Sequence, residues 1–417
     1  MDKYFHSVVL DKSNCNGCTN CMRRCPTEAI RIRDKKAMII QERCIDCGEC
    51  IKVCPYHAQN VLTDDLDKLN DYKFNIAIPS VTMHGQFTQS TNMNRIFQGI
   101  KKLGFDYIYD EGIAADIVTY IIKEKIKEND LPKPIISTLC PAVVRLIQLN
   151  FPSLLDNIMK VESPMEVAAR LAKEKVIKKF NLSPEEVGVF YLTPCPAKVT
   201  STVRPVGLEH SYVDGVISIK KVYGDIVRNE KTISKEEEFE MGSPLGRGWA
   251  RVGGQSHALG LNNYVAVDGI ENVIKVLEEI ELGKLDNIDY FEGLACFGGC
   301  VGGPLNVENP FIAKSRVRKL SEGDKTLELK DIDIAMDMYK KGVLTLTKKI
   351  EPKSVMKLDS DIKKAMNMVE EIKKINKKLP GLDCGSCGAP NCYALAEDIV
   401  NGFAKIENCI FRLNDEK

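Results

Sequence analysis

FEGLACFGGCVGGP, at residues 291–304, is the most informative stretch of this sequence. Cys296 and Cys300 stand in it beside glycines at positions 298, 299, 302 and 303. Because glycine has no Cβ, such a segment lets the backbone approach a bulky inorganic ligand closely. The stretch therefore indicates that both cysteines are ligands of a metal centre.

Two further cysteines follow apolar, strand-like runs. Cys140 lies in PIISTLCPAV and Cys195 in VFYLTPCPAK, and proline comes directly after each of them. Cysteines at strand ends of a parallel α/β fold converge on the crevice where ligands bind. With Cys296 and Cys300 they would form a four-thiolate site for a cubane cluster. Four unrelated buried cysteines are the alternative, since cysteine is common in protein cores.

The N-terminal segment contains an internal repeat, and each half reads C-x2-C-x2-C-x3-C-P. At this spacing three thiolates bind one iron–sulfur cube and the fourth cysteine, before proline, binds the other cube. The repeat resembles a bacterial two-cluster ferredoxin, and a pair of zinc knuckles is the alternative. One [4Fe–4S] cluster is predicted on Cys15, Cys18, Cys21 and Cys54, and the second on Cys44, Cys47, Cys50 and Cys25.

The last four cysteines form a different pattern. Cys384, Cys387, Cys392 and Cys409 are spaced C-x2-C-x4-C-x16-C, and YALAEDIVNG between the last two predicts a helix. This segment resembles the four-cysteine cluster domain of the Rnf complex B subunit, which implies a further [4Fe–4S] cluster. A zinc ribbon is the alternative, although its usual two C-x2-C pairs are absent.

Between these cysteine-rich ends, short β-branched runs alternate with helical stretches such as PMEVAARLAKEKVIKKF at 164–180. This alternation predicts an α/β domain with mainly parallel sheets. AIRIRDKKAMII at 29–40 predicts two short strands around a polar turn at 34–36. The predicted segments are an α+β ferredoxin-like module at 1–65, the central domain at 66–350, a linker helix at 351–380 and a small helical cluster module at 381–417.

Composition and hydropathy indicate which partners and which location to expect for this protein. Fifty-eight Lys and Arg residues balance 58 Asp and Glu residues, so the net charge gives no support for nucleic acid or an anionic membrane as a partner. No apolar run has the length of about 18 residues that a transmembrane helix needs. The first residues carry no apolar segment typical of a signal peptide. We therefore expect a cytoplasmic protein.

The central segments resemble the three signatures of the [FeFe] hydrogenases, in the family's order, over roughly residues 72–320. STLCPAV is similar to TSCCPxW, TPCPAKVTS to MPCxxKxxE, and EGLACFGGCVGGP to ExMACxxGCxxGG. IAIPSV at 76–81 resembles the Pro–Ser strand end that lines the same pocket. SPLGRGWARVGGQ at 243–255 resembles the FGxxGG loop, with Trp249 where the family usually has Phe.

This resemblance implies a two-lobed domain that binds an H-cluster. A cubane on the four central cysteines would share Cys300 with a di-iron unit carrying CO, cyanide and an azadithiolate. The implied reaction interconverts H2 with protons and electrons, with a redox partner such as ferredoxin and with maturation proteins that supply the cofactor in an anaerobic cell. The implied site residues are Cys300, Lys198 and Glu292 as catalytic groups and Pro79, Ser80, Lys198 and Trp249 as cofactor contacts, with Lys198 donating to a cyanide.

The sequence departs from the family where protons should move. Leu139 stands at the signature cysteine that hands protons to the azadithiolate, and Ser201 stands at the signature Glu. Ile121 and Ile122 replace an acidic pair of the catalytic members. Positioned acid–base groups contribute about 10²–10⁴ in rate, so slow turnover is expected, as in sensory or regulatory members. The remaining candidates for a relay are Glu162, Glu166, Tyr191 and Glu292.

Other functions remain open at this point. Hydrogenase-like proteins of cytosolic iron–sulfur assembly keep the cubane ligands without a di-iron unit, so a non-catalytic iron–sulfur scaffold is one alternative. Pure electron transfer is another. The C-terminal module is hypothesised to be an electron outlet that assembles independently of the central domain.

Overall fold

The computed structural model of the protein describes residues 5–88, 90–322, 332–353 and 361–411. Its contacts divide the chain into two compact units, Met1–Val61 together with Pro352–Lys417, and Leu62–Glu351. The two cysteine-rich ends therefore belong to one unit. The predicted boundaries at 65, 350 and 380 stay predictions, and residues 354–360 of the predicted linker lie outside the described part of the chain.

The N-terminal part of the first unit has the repeated α+β architecture expected of a ferredoxin. Two antiparallel strand pairs are present, Val8–Leu10 with Gln59–Val61 and Ile30–Arg33 with Lys36–Ile39. One-turn helices follow in each half, at Asn20–Arg23 and Glu49–Lys52. Asp34 and Lys35 take positive φ angles of 49° and 59°, the geometry of a tight two-residue hairpin turn. The predicted strands and turn are thus confirmed.

The C-terminal part of the first unit is helical. Helix Ile362–Lys378 begins at Asp361, whose side chain accepts a hydrogen bond from the Lys363 amide. Helix Cys392–Val400 begins in the same way at Asn391. The two helices pack on a small apolar core, and a 3₁₀ turn at Ile406–Asn408 precedes the last cysteine. Helix Ile362–Lys378, predicted as a linker, therefore packs as part of the C-terminal cysteine module.

The second unit contains two parallel sheets, which confirms the predicted α/β class. In one sheet the strand order is Tyr107–Ile108, Phe74–Pro79, Val187–Thr193 and Gly215–Ser218. In the other the order is Tyr264–Asp268, Tyr290–Leu294 and Ile135–Ile136. Strand Val187–Thr193 is buried along its whole length, as expected for a central strand with both faces covered.

Helices surround both sheets. The longer α-helices are Met93–Lys101, Glu111–Glu128, Pro141–Asn150, Pro164–Phe180, Pro196–Val203, Ile219–Lys231, Ile270–Glu281, Pro310–Ser321 and Ile332–Lys340. The shorter ones are Met83–Gln86, Pro244–Arg247 and Gly254–Leu259, and 3₁₀ turns occur at Leu66–Asp71, Pro152–Asn157, Pro184–Glu186, Gly248–Ala250 and Cys300–Gly302. Among the residues described in either unit, no helix is both long enough and apolar enough to cross a membrane.

Candidate metal centres

The four central cysteines come from the carboxyl ends of three strands. Cys140 follows strand Ile135–Ile136, and Cys195 follows Val187–Thr193 in the other sheet. Each is the N-cap of a helix whose first residue is proline, a favoured residue at that position. Cys296 comes just after strand Tyr290–Leu294, and Cys300 begins a 3₁₀ turn. Both sheets thus contribute cysteines to one site.

Electrostatic interactions show that these four thiols are close together. Burial raises the pKa of Cys300 well above its usual value, and the other three thiols raise it further, against the effect of Lys198. Burial likewise raises the pKa of Cys195 to about 12, with Cys296 and Cys140 adding to the increase. Buried, crowded thiols resist ionisation alone, whereas a metal centre binds them as thiolates and releases their protons. The donor set therefore fits an iron–sulfur cube.

The glycines of the 291–304 stretch approach protein backbone in this structure. A Cβ on Gly303 would lie 2.4 Å from the Pro194 carbonyl oxygen, next to Cys195. A Cβ on Gly299, whose φ is +98°, would lie 2.5 Å from the Val252 amide nitrogen. These close approaches are thus to other protein segments, the Cys195 segment and the loop at 251–252, and the approach to an inorganic ligand stays a prediction.

Lys198 lies beside this site as a buried ammonium with a buried carboxylate partner. Its Nζ is 2.9 Å from Glu111 Oε1 and 2.5 Å from the Tyr191 hydroxyl. The side chains of Lys198 and Glu111 are 4% and 1% exposed. Burial disfavours the charged lysine, but Glu111, Tyr191 and Cys300 outweigh it and raise the pKa of Lys198 well above its usual value.

Glu111 is the functional residue that sequence analysis missed. Its carboxylate accepts hydrogen bonds from Tyr191, at 3.0 Å to each oxygen, and from the Val81 amide at 2.9 Å. Burial and the Glu111 charge raise the pKa of Tyr191 well above its usual value, so this phenol is neutral and donates its proton to the carboxylate. The feature of the sequence that could have identified Glu111 is its place as an acidic residue at the start of the apolar helix Glu111–Glu128.

A cavity of about 570 Å³ opens next to Lys198, and Leu139 forms part of its wall. Ser201 also lines it, and its hydroxyl donates to the Ala197 carbonyl oxygen at 3.0 Å. The lining of the cavity is mostly apolar with a few polar groups, as small-molecule sites usually show. Its other lining residues are Thr138, Pro141, Val144, Val161, Ser163, Met165, Glu166, Pro205, Val206, Leu208, Leu346 and Ile350.

Two of the carboxylates predicted for a proton relay, Glu162 and Glu166, belong to segments that line this cavity. Glu166 lines the cavity and accepts hydrogen bonds from the Ser211 hydroxyl at 2.7 Å and the Tyr212 amide at 2.8 Å. Burial raises its pKa. Glu162 pairs with Arg170 at 2.5 Å, yet burial raises the pKa of Glu162 to about 7 despite that partner. A group that titrates near neutral pH can exchange protons in both directions.

Glu292 and Trp249 are both buried in the glycine-rich part of the site. The Glu292 carboxylate accepts hydrogen bonds from the Gly253 amide and from the amide and hydroxyl of Ser256, at 2.8–2.9 Å. These contacts fasten the loop that contains Gly253 to strand Tyr290–Leu294. Trp249 donates its indole N–H to the Thr119 hydroxyl at 3.1 Å. A catalytic role for Glu292 and a cofactor contact for Trp249 stay predictions.

Pro79 ends strand Phe74–Pro79, and Ser80 follows it as a buried residue. The Ser80 amide donates to the Leu192 carbonyl oxygen at 3.3 Å, and a hydrogen bond of its side chain partly opposes the burial that raises the pKa of Tyr191. Ser80 therefore borders the network of Glu111, Tyr191 and Lys198. Direct contact of Pro79 or Ser80 with a cofactor stays a prediction.

The ferredoxin-like module contains two cavities, each lined by four cysteines in the crossed arrangement of the sequence prediction. One is lined by Cys15, Cys18, Cys21 and Cys54, and the other by Cys25, Cys44, Cys47 and Cys50. The two halves of the repeat also make equivalent hydrogen bonds to sulfur. The Ala29 amide donates to Cys25 Sγ and the Ala58 amide to Cys54 Sγ, each at 3.2 Å. N–H···S bonds of this kind stabilise cluster thiolates.

The C-terminal cysteines share one small apolar core, in which Cys409 is buried and Cys387 and Cys392 are partly buried. Burial raises the pKa of Cys387, and the Cys384 and Cys409 thiols raise it further, so these three sulfurs are neighbours. The Cys392 amide donates to the Asp383 carboxylate at 2.7 Å, which shapes the loop between the cysteines. The set is therefore suited to hold one further cluster.

Comparison with known families agrees with this geometry. A family model described as "Iron only hydrogenase large subunit, C-terminal domain" matches residues 74–261 and 250–304, more than half of the chain. The chain belongs to the iron-only hydrogenase large-subunit family. A 4Fe-4S dicluster domain matches residues 7–55, and a putative Fe-S cluster domain matches residues 379–411. Iron–sulfur domain models therefore match both ends of the chain, and the hydrogenase model matches its centre.

Known relatives of the chain include hydrogenases and assembly factors. The periplasmic [Fe] hydrogenase large subunit of Nitratidesulfovibrio vulgaris is 28% identical over 219 residues, which cover 48% of this chain and 52% of the relative. Iron hydrogenase 1 of Clostridium pasteurianum is 24% identical over 78% of this chain and 71% of its own length. A probable cytosolic Fe-S cluster assembly factor of Brugia malayi is 24% identical over 53% of this chain and 59% of its own.

Solved structures identify the same fold. An [FeFe]-hydrogenase structure aligns with a TM-score of 0.55 at 15% identity, covering 69% of this chain and 98% of the other. The identity is low, so the likeness concerns the fold alone. The chain spans about half the length of the first curated relative it matches.

Proposed function

We propose that this family member binds an H-cluster in its central domain and interconverts H2 with protons and electrons. Its turnover is low, and its role is sensory or regulatory. The observation that carries the proposal is the buried ammonium of Lys198, on the wall of a cavity and close to the Cys300 thiol. A buried cation needs anionic partners. Glu111 supplies one such partner, and the N–H donor of Lys198 that Glu111 and Tyr191 do not use supports a further anionic ligand beside it.

The four central cysteines would hold the cubane, and Cys300 would also hold the di-iron unit with its CO, cyanide and azadithiolate ligands. That group supplies the site at which H2 is made or split. Lys198 would position it, because an ammonium has three N–H donors and Glu111 and Tyr191 use two of them. The third would donate to a cyanide. Glu111 keeps the lysine charged and Tyr191 keeps it oriented.

Low turnover follows from the residues that stand where the family has its proton carriers. Leu139 lines it and cannot carry a proton. Ile121 and Ile122 are fully buried, with no acidic group at either position. Protons would have to use other groups, of which Glu166 lines the cavity. The loss of a positioned acid–base chain corresponds to about 10²–10⁴ in rate. A slow enzyme of this kind suits H2 sensing in the cytoplasm of an anaerobic cell.

Electrons would pass between this site and a protein redox partner such as ferredoxin by way of the cysteine-rich unit. Maturation proteins would supply the di-iron group. These partners are inferred from the family and from the three cysteine-rich motifs.

The second candidate function is a non-catalytic iron–sulfur scaffold. Similarity to a cytosolic Fe-S cluster assembly factor favours it, as do Leu139 and Ser201, which replace catalytic groups of the family signatures. The two functions differ in one requirement, since only the hydrogenase needs the di-iron group next to Lys198.

The test is an assay of H2 production after anaerobic loading of the cubane-containing chain with a synthetic di-iron complex. Dithionite-reduced methyl viologen supplies electrons, and gas chromatography measures H2. We expect H2 above the level of a Cys300→Ser variant treated identically, at about 10²–10⁴ below the rate of an enzyme with an intact relay. Equal, background levels in both proteins would favour the scaffold.

A further inference from the structure

Helix Cys392–Val400 is bound to the ferredoxin-like hairpin by a buried ion cluster. Both oxygens of Asp398 accept from Arg31 Nε, at 3.0 and 2.8 Å, and one also accepts from Arg33 at 2.5 Å. The side chains of Arg31 and Asp398 are 3% and 7% exposed. Next to them Glu397 pairs with Arg43 at 2.8 Å. Buried charges of opposite sign in this geometry hold two segments together, because separating them leaves charges unpaired.

Main-chain contacts continue this interface to the C-terminal cysteines. The Ile32 amide donates to the Gly388 carbonyl oxygen at 2.8 Å, and Arg33 donates to the carbonyl oxygens of Gly388 and Cys387 at 2.9 and 3.2 Å. Gly388 has a φ of +78°, and a Cβ there would lie 2.0 Å from the Ile32 carbonyl oxygen. Only glycine therefore permits this approach, directly beside a cysteine.

A second arginine contacts the other loop cysteine. Arg23 donates to the Cys384 carbonyl oxygen at 2.6 Å. Next to it, a Cβ on Gly385 would lie 3.0 Å from the Met22 side chain. The carbonyl oxygens of Cys384 and Cys387 thus each accept a hydrogen bond from a guanidinium of the ferredoxin-like module.

The contacted residues of that module also border its first cysteine site. Ile32 lines the cavity of Cys15, Cys18, Cys21 and Cys54, and Met22 follows Cys21 directly in the chain. A short path of bonds therefore runs from the Cys387–Gly388 peptide, through one hydrogen bond, to the wall of the first cavity. Electron exchange between metal sites falls steeply with distance, so such a path favours it.

We propose that the C-terminal four-cysteine site is a fixed redox neighbour of the first ferredoxin site, and that Arg23 and Arg33 raise its reduction potential. A reduced cluster carries one more negative charge than an oxidised one, and a guanidinium beside it stabilises the reduced form. Net charge and hydrogen bonds around a cluster set its potential in this way. The electron outlet hypothesised from sequence, and its assembly independently of the central domain, stay predictions, and the present proposal does not depend on the H2 chemistry of that domain.

The test is an anaerobic redox titration of the full chain with four cubane clusters, followed by electron paramagnetic resonance. A Cys409→Ser variant identifies the signal of the C-terminal site by its loss. We expect Arg23→Gln and Arg33→Gln each to lower the reduced-to-oxidised ratio of that signal about tenfold at fixed potential, which is about 59 mV for one electron. Arg228→Gln, which removes an exposed guanidinium paired with Asp225, is the matched control and should leave the ratio within about twofold.

Magnetic coupling gives a second, independent readout. In the fully reduced protein the C-terminal signal should be broadened by its neighbour, and Asp398→Asn should narrow it by loosening the interface. Arg23 is exposed and Arg33 partly exposed, so their variants should fold even where Asp398→Asn does not. Unchanged potentials in both arginine variants, an unbroadened signal in the native chain, or no signal lost in Cys409→Ser would each overturn the proposal.

Discussion

Lys198 Nζ lies 2.9 Å from Glu111 Oε1, and the two side chains form a buried ion pair across 87 residues of sequence. The family signature has its carboxylate three residues after the lysine, where this chain has Ser201. In this chain the negative charge beside the lysine comes from another element, the start of helix Glu111–Glu128. The lysine keeps its charge, and its remaining N–H donor is free to serve an anionic ligand.

Removing the carboxylate of this pair should destabilise the central domain. Glu111→Gln leaves the Lys198 ammonium buried without its countercharge, so we expect the free energy of unfolding to fall by about 3–5 kcal/mol in urea titrations. The double variant Glu111→Gln/Lys198→Met, which removes both charges, should recover most of that loss. Glu279→Gln, at an exposed pair with Lys284, should change stability by less than about 1 kcal/mol. A Glu111→Gln protein as stable as the native one would contradict the role given to this pair.

Restoring one proton carrier should not restore fast catalysis. Leu139→Cys places a thiol on the cavity wall, but Ile121 and Ile122 still provide no acidic group behind it. We expect H2 production from reduced methyl viologen to rise by less than about tenfold, well short of the 10²–10⁴ range of a complete acid–base chain. Leu139→Ala controls for the change in volume. An increase to the full range in the single variant would mean that another relay already reaches the cavity.

Glu162 should make stability depend on pH between about 4.5 and 7. Burial raises its folded-state pKa to about 7, so the native state binds this proton more tightly than the unfolded chain does. Stability therefore falls as pH rises through that window, by an amount on the order of 3 kcal/mol. Thermal midpoints of native and Glu162→Gln protein at pH 5, 6, 7 and 8 measure this, and the variant should show the shallower dependence. Equal slopes would show that Glu162 is ionised throughout.

Metal content distinguishes the cluster assignments from zinc sites. Four cubane clusters correspond to about 16 iron atoms per chain, and a di-iron unit raises the number to about 18. We expect plasma emission spectrometry to give these values before and after maturation, with zinc well below one equivalent. Cys409→Ser should lower the first value by about four. Zinc in stoichiometric amounts would contradict at least one assignment.

The parts of the site that depend on local spacing could be predicted from sequence. The ferredoxin cysteines are three or four residues apart within each half, and this spacing alone predicts which four line each cavity. The parallel sheets of the central domain followed from alternating apolar runs and helical patterns. Both features depend on residues that are close in sequence. For such residues the spacing in the sequence determines which side chains lie on the same side of the local structure.

The long-range pairs could not be predicted. Glu111 and Lys198 lie 87 residues apart, and Arg31 and Asp398 lie 367 apart, so no periodicity connects either pair. Asp398 stands in a short helix where a carboxylate usually faces solvent, and its burial depends on a hairpin at the other end of the chain. The same contact places the C-terminal module in one unit with the ferredoxin-like repeat, whereas its assembly independently of the central domain stays a prediction.

Infrared spectroscopy of the matured protein tests the central claim most directly. Bound CO and cyanide absorb in a region free of protein bands. We expect these bands in the native chain, their absence in Cys300→Ser, and weakened or missing bands in Lys198→Asn, because the Cys300 thiolate would bind the di-iron unit and the Lys198 ammonium would donate an N–H to its cyanide. Glu279→Gln should leave the spectrum unchanged. Absence of the bands from the native chain, or identical bands in all four proteins, would contradict the H-cluster at this site.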